Sequence, residues 1–170
     1  MGRRLRRPGT RGGQVGAWSG TRRGEQNVLR SFAARRAEAS PTVVRLLLDT
    51  CTFLWLAGGA SLTPAAASAI RDPANEVYLS AVSVWEIATK HRAGRLPLPE
   101  SPDRLIPAER QLRGVASLAF DEESALQVLR LPALHRDPFD RMLISQAIAG
   151  GLAIVTPDPL ISQYPVRVIW

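Results

Sequence analysis

The stretch LHRDPFDRMLISQAIAGGLAIVTPD, residues 134–158, contains a helix, a strand and the turn between them. Asp137-Pro138 is a helix start, because proline suits the first helical position and aspartate the N-cap before it. The segment then turns apolar until Gly150-Gly151, a stop signal. LAIV (152–155) follows as a short buried strand, and an acid, Asp158, stands just beyond it. The fold depends on whether this alternation repeats upstream.

It does repeat. VVRLLL (43–48) predicts a buried strand, β-branched and then leucine-rich, that ends at Asp49. Thr63-Pro64 opens a short helix through AAASAIR, with Thr63 as cap. EVYLSAV (76–82) predicts a second strand, and SVWEIATKHRAG (83–94) a helix ending at Gly94. Ser101-Pro102 marks another helix start in a proline-bearing stretch. VASLAF (115–120) is a third strand, DEESALQVLRL (121–131) a helix capped by Asp121, and VRVIW (166–170) a fifth strand. Strands alternating with helices at this spacing predict an α/β fold, with a central mostly parallel sheet flanked by helices on both faces. No internal repeat is present.

The chain has 170 residues, enough for one domain with a real core. Its formal net charge of +7 is unevenly placed. Residues 1–42 hold ten arginines against two glutamates, a balance of +8; residues 43–170 hold twelve Lys and Arg against thirteen acids, a balance of −1. The basic head is rich in arginine and glycine and poor in apolar periodicity, so it is expected to be a disordered extension or an upstream start-site artefact. A nucleic-acid-seeking arm and a targeting peptide are the other readings of that head, although no apolar h-region accompanies it. Residues 43–170 form the expected domain. A single cysteine, Cys51, excludes an internal disulfide and a cysteine-cluster zinc site, which favours reducing cytoplasm. The uncharged run 142–157 contains Gln146, two glycines and Pro157, and does not predict a membrane span.

Ligands of parallel α/β sheets collect at the carboxyl ends of the strands. Four acids are predicted there. Asp49 follows the first strand, Asp158 follows the fourth, Glu86 begins the helix leaving the second, and Asp140 begins the helix preceding the fourth. Each also has a structural explanation. Ser83-x-x-Glu86 matches a capping box, and Glu86 can pair with Lys90 one turn later. Asp158 between two prolines suits a turn, and Asp140 in a first helical turn suits the helix dipole. Asp49 has the weakest such explanation, since an aspartate ending an apolar strand has no routine structural duty. Clustered carboxylates repel and require a cation. Their hard oxygens suit Mg²⁺ or Mn²⁺, and such an ion suits phosphoryl chemistry.

Taken together, DTCTFLWLA, SAVSVWEIATKHRAGRL, LHRDPFDRMLISQA and IVTPDPLISQYPVRVIW resemble, in order, the motifs of the PIN domain family, and within it the VapC-type toxins of bacterial toxin–antitoxin pairs. The resemblance covers Val43 to Trp170. It implies a Mg²⁺- or Mn²⁺-dependent endoribonuclease in which Asp49, Asp140 and Asp158 hold the metal and Glu86 ligates it or orients the attacking water. It further implies an RNA substrate, a cognate antitoxin and a homodimer. Thr50, Ser83, Thr156 and Asp137 are the neighbours expected to support the acids, with capping the better role for Asp137. Pro157 departs from the pattern at a position often basic in the family, and the basic head has no counterpart there.

An acidic site repels RNA, so nearby cations matter. Lys90, Arg92, Arg95, Arg136 and Arg141 are the candidates, each equally explicable as part of a solvated helix face. His91 and His135 lack metal-ligand spacing. Trp55 and Trp85 stand among apolar neighbours, which predicts core or dimer packing. Two rivals remain: a non-catalytic PIN-like binding module, and a phosphatase of the haloacid-dehalogenase type. The second needs Asp-x-Asp, and Cys51 occupies the second place.

Overall fold

The computed structural model describes residues 43–134 and 136–170, so the expectations for residues 1–42 and for His135 lie outside the described residues. The strands are β1 (Arg45–Leu48), β2 (Glu76–Ser80), β3 (Ala116–Leu118), β4 (Ala153–Val155) and β5 (Arg167–Ile169). The helices are α1 (Thr50–Ala57), α2 (Pro64–Arg71), α3 (Ala81–Arg92), α4 (Pro102–Arg113), α5 (Glu122–Leu126) and α6 (Pro138–Gly150), with 3₁₀ turns at Gln127–Arg130 and Ile161–Gln163. All five strands are parallel in the order β3-β2-β1-β4-β5. The expected α/β architecture is borne out.

Consecutive residues of β1 explain the layering. Leu46 and Leu48 enter one buried cluster with Phe53, Leu79, Ile87 and Val155. Leu47 enters the other, with Leu143, Ile144, Ile154 and Ile161. A strand's side chains alternate between faces, so a run of three leucines is stable only where helices cover both sides. Each fully buried leucine contributes about 1.5–3 kcal/mol, which makes β1 the axis of the domain.

The chain runs from β1 outward through β2 to β3, then returns to place β4 on the opposite side of β1. The strand order therefore reverses between β1 and β4, which by the general rule for such sheets puts the ligand crevice beyond their carboxyl ends. Asp49 and Thr156 are the first residues past those two ends.

Two features differ from expectation. Helix α3 begins at Ala81, because the Ser80 hydroxyl, at the end of β2, accepts from the Val82 amide at 3.0 Å and acts as the N-cap. Ser83 is thus inside the helix, the capping-box explanation fails, and Glu86 sits in the second turn rather than at the start. Trp55 and Trp85 are not core residues. Trp85 is 66% exposed and Trp55 is 40% exposed, the latter tilted against Trp170 with ring centroids 5.7 Å apart.

Candidate metal-binding active site

Asp49 has the extended backbone of an N-cap for α1, yet its side chain makes no capping bond. Its carboxylate is held from elsewhere. The Thr156 hydroxyl donates to Asp49 Oδ2 at 2.6 Å across the β1–β4 crevice, and the Cys51 thiol donates to the same oxygen at 3.2 Å. Two donors on one oxygen fix the plane of the carboxylate, while Oδ1 keeps lone pairs for a ligand. Asp49 is 7% exposed and Thr156 1% exposed, so this charge-assisted bond lies almost out of water. Burial, followed by the charge of Asp49, pushes the Cys51 thiol up to about 12. Cys51 is therefore a neutral donor and cannot replace the second acid of a dehalogenase-type phosphatase.

A second network begins one residue later. Thr50 Oγ1 lies 2.6 Å from Glu86 Oε2 and 3.0 Å from Ser83 Oγ, all three residues being buried. Thr50 is on α1, while Ser83 and Glu86 are three residues apart and share a face of α3. Adjacent residues Asp49 and Thr50 thereby tie β4 and α3 to the end of β1. Lys90 closes the network, its Nζ donating to Glu86 Oε1 in an i,i+4 ion pair. That hydrogen bond raises the Lys90 pKa, and the charges of Glu86, Asp137 and Asp140 add to the shift. One ammonium thus lies in the field of acids from both α3 and the start of α6.

The two aspartates near the start of α6 separate by role. Asp137 Oδ1 accepts from the Phe139 amide at 2.8 Å, which is N-capping. Asp140 lies in the first turn, partly buried, on the side of the domain felt by Lys90. Asp158 reaches the same sheet edge by its place after β4, but its Oδ1 accepts from the Leu160 amide at 2.8 Å. Its own amide donates to Thr156 Oγ1 at 3.1 Å, so a turn holds it beside the Asp49–Thr156 pair.

Among the described residues, no three acidic, histidine or cysteine side chains converge closely enough to hold an ion unaided. The donor set nevertheless fits a divalent cation in kind. Carboxylates and hydroxyls are hard oxygen ligands, the one nearby thiol stays protonated, and Mg²⁺ retains waters that span gaps between side chains. Asp49, Glu86 and Asp140 are the residues that would hold it, with Asp158 at the rim.

The cations divide too. Arg92, Arg95 and Arg136 are exposed. Arg141 instead donates to the Pro132 carbonyl at 2.9 Å and the Val128 carbonyl at 3.4 Å, which pins the segment before α6 to the helix. His91 Nδ1 lies 3.1 Å from the Leu96 carbonyl, a contact that stabilises the turn after α3. The Cys51–Asp49 contact and the Thr50–Ser83 bridge are not predicted by local pattern. The only hint is that Thr50 and Thr156 follow strands next to the acids.

A five-stranded parallel sheet with acids beyond the ends of its strands defines a class of α/β domain, and comparison with known proteins specifies it. Residues 46–166 match the PIN domain model, and the chain belongs to the PIN domain family. Ribonuclease VapC16 of Mycobacterium tuberculosis (strain ATCC 25618 / H37Rv) is 38% identical over 52 residues, covering 31% of this chain and 37% of that protein. The chain thus matches little more than a third of the length of this curated relative. Among solved structures, VapBC2 from Rickettsia felis bound to a promoter DNA fragment superposes with a TM-score of 0.56 at 13% identity, over 74% of this chain and 97% of that one. VapBC-1 from nontypeable Haemophilus influenzae gives 0.51 at 13%, over 74% and 96%. DNA-bound VapBC from Salmonella typhimurium gives 0.50 at 17%, over 74% and 97%. These likenesses are of fold.

Proposed function

We propose that this protein is a divalent-metal-dependent endoribonuclease acting as the toxin of a toxin–antitoxin pair, with residues 43–170 as its PIN domain and residues 1–42 as a separate basic extension. The observation that carries the reading is the Asp49 carboxylate, an N-cap residue whose side chain caps nothing and is clamped at the switch point by Thr156 and Cys51. A helix start does not need that arrangement. A site that must present one oxygen of a buried carboxylate does.

A bound Mg²⁺ or Mn²⁺ supplies a Lewis acid and lowers the pKa of coordinated water. The chain's own residues do the rest. Thr156 and Cys51 orient Asp49, Thr50 orients Glu86, and Asp140 adds charge from the opposite helix. Thr50 and Lys90 hold the two Glu86 oxygens, which supports a role for Glu86 in orienting an attacking water or, once Lys90 is displaced, in ligating the ion. Arg92, Arg95 and Arg136 are exposed and are the candidates for phosphate-binding charge. The relatives named as VapBC assemblies support an antitoxin partner for this chain, and the exposed Trp55 and Trp85 provide apolar area for that partner or for a homodimer. No described helix is long and apolar enough to cross a membrane, and the single cysteine supports a reducing cytoplasm as the location.

The test is incubation with total RNA and Mg²⁺, with cleavage ends mapped, beside Asp140→Asn and Asp49→Asn. The expected result is discrete cleavage by the wild type, abolished by EDTA and by either substitution. Undiminished cleavage by both variants would refute the site.

A further inference from the structure

We propose that Lys90 is a tethered cation that holds the acid cluster together when no divalent ion is bound and must leave Glu86 for the ion to enter. The inference rests on the metal-dependent reading above and assigns Lys90 a role in metal affinity rather than in RNA contact alone.

Three observations lead to it. First, both Glu86 oxygens are engaged, Oε2 with Thr50 at 2.6 Å and Oε1 with the Lys90 ammonium. A ligand arriving at Glu86 must displace one of the two. Second, the two partners differ in freedom. Thr50 is buried and bonded to Ser83, whereas the Lys90 side chain is 45% exposed on a flexible four-carbon stem. Only Lys90 can move without disturbing the helix packing. Third, the basic residues of this chain are twenty-one arginines and this one lysine. A guanidinium would clamp Glu86 through a bidentate fork, while a compact ammonium makes a point contact that a stronger cation can replace.

Charge reinforces the geometry. Glu86, Asp137 and Asp140 all act on the Lys90 ammonium, so it already occupies the favourable potential that a divalent ion would seek. The two cations repel at close range, and binding of one expels the other. The expelled ammonium remains on the rim of the groove, where it can neutralise a phosphate. Lys90 thus trades one anionic partner for another as the site fills.

The experiment uses the full chain. Mn²⁺ is titrated calorimetrically into the wild type, Lys90→Met, Lys90→Arg and Asp49→Asn, and each is also melted in EDTA. Lys90→Met should bind Mn²⁺ roughly fivefold tighter than the wild type, an effect reduced by salt. It should melt lower in EDTA and gain more from added Mn²⁺. Lys90→Arg should bind no tighter than the wild type. Equal Mn²⁺ binding by Asp49→Asn and wild type would overturn the metal reading itself. Loss of binding in Asp49→Asn with Lys90→Met within twofold of wild type would overturn the Lys90 proposal alone. A readout that needs no variant comes from the single lysine, because ¹⁵N-lysine labelling yields one ζ-ammonium resonance. Saturation with Mg²⁺ should shift that resonance and speed its proton exchange. An unmoved, still protected resonance would also overturn the proposal.

Discussion

Removing the Thr156 hydroxyl tests the join between β1 and β4 directly. Thr156→Val keeps the side-chain shape but loses two bonds, the 2.6 Å donation to Asp49 Oδ2 and the 3.1 Å acceptance from the Asp158 amide. A hydrogen bond to a charged group contributes about 1.5–3 kcal/mol and a neutral one about 1 kcal/mol, part of which is offset by no longer burying a hydroxyl. The expected net loss is about 2 kcal/mol, read by urea denaturation. For a body of this size that corresponds to a fall in melting temperature of roughly 6–10 °C. Mn²⁺ affinity should fall as well, because Asp49 keeps only the thiol as donor and its carboxylate can rotate. Thr156→Ser keeps both bonds and loses one methyl, so it should cost about 1 kcal/mol and leave Mn²⁺ affinity unchanged. A valine variant within about 0.5 kcal/mol of wild type, with the same Mn²⁺ affinity, would show that the Asp49–Thr156 bond does not organise the site.

Two further outcomes separate roles that look alike in sequence. Asp137→Ala should lower stability by about 1 kcal/mol through loss of the cap and retain Mn²⁺ binding, whereas Asp140→Asn should do the reverse; chemical denaturation and calorimetry on the pair would expose any exchange of roles. The Cys51 thiol, pushed up to about 12, should react with a disulfide reagent at pH 8 roughly a hundredfold or more slower than a free thiol in the metal-free protein. Because its folded value is raised, Cys51 contributes stability that is complete below about pH 9 and lost as pH climbs toward 12. Cys51→Ala should remove that alkaline slope, and an unchanged slope would assign it to another group.

The architecture was legible because its signals are local. Leu46–Leu48 declare a strand buried on both faces, and Thr63-Pro64 and Asp137-Pro138 declare helix starts that the structure reproduces with side-chain caps. The start of α3 was not legible, since Ser80 and Ser83 are equally good caps in isolation. Packing decides between them by burying Ser83 against Thr50. The core half of the reading of Trp55 and Trp85 failed for a related reason. The buried positions of α3 are Val82, Ser83, Glu86 and Ile87, and Trp85 falls outside that stripe despite its apolar neighbours. At the site, acids at strand ends could be ranked, but the orientation of each carboxylate could not. Asp49, Asp137 and Asp158 all precede a turn or helix, and whether a carboxylate serves its own backbone or a distant hydroxyl depends on what the fold brings near it.

The Asp49–Thr156 bond joins residues 107 positions apart. During synthesis the Asp49 carboxylate emerges 107 residues ahead of its Thr156 clamp. A nascent chain that lacks β4 has no partner to lock Asp49, and an incomplete product broken before that strand stays equally unlocked. Synthesis order therefore leaves the Asp49 carboxylate without its Thr156 clamp until β4 has been made.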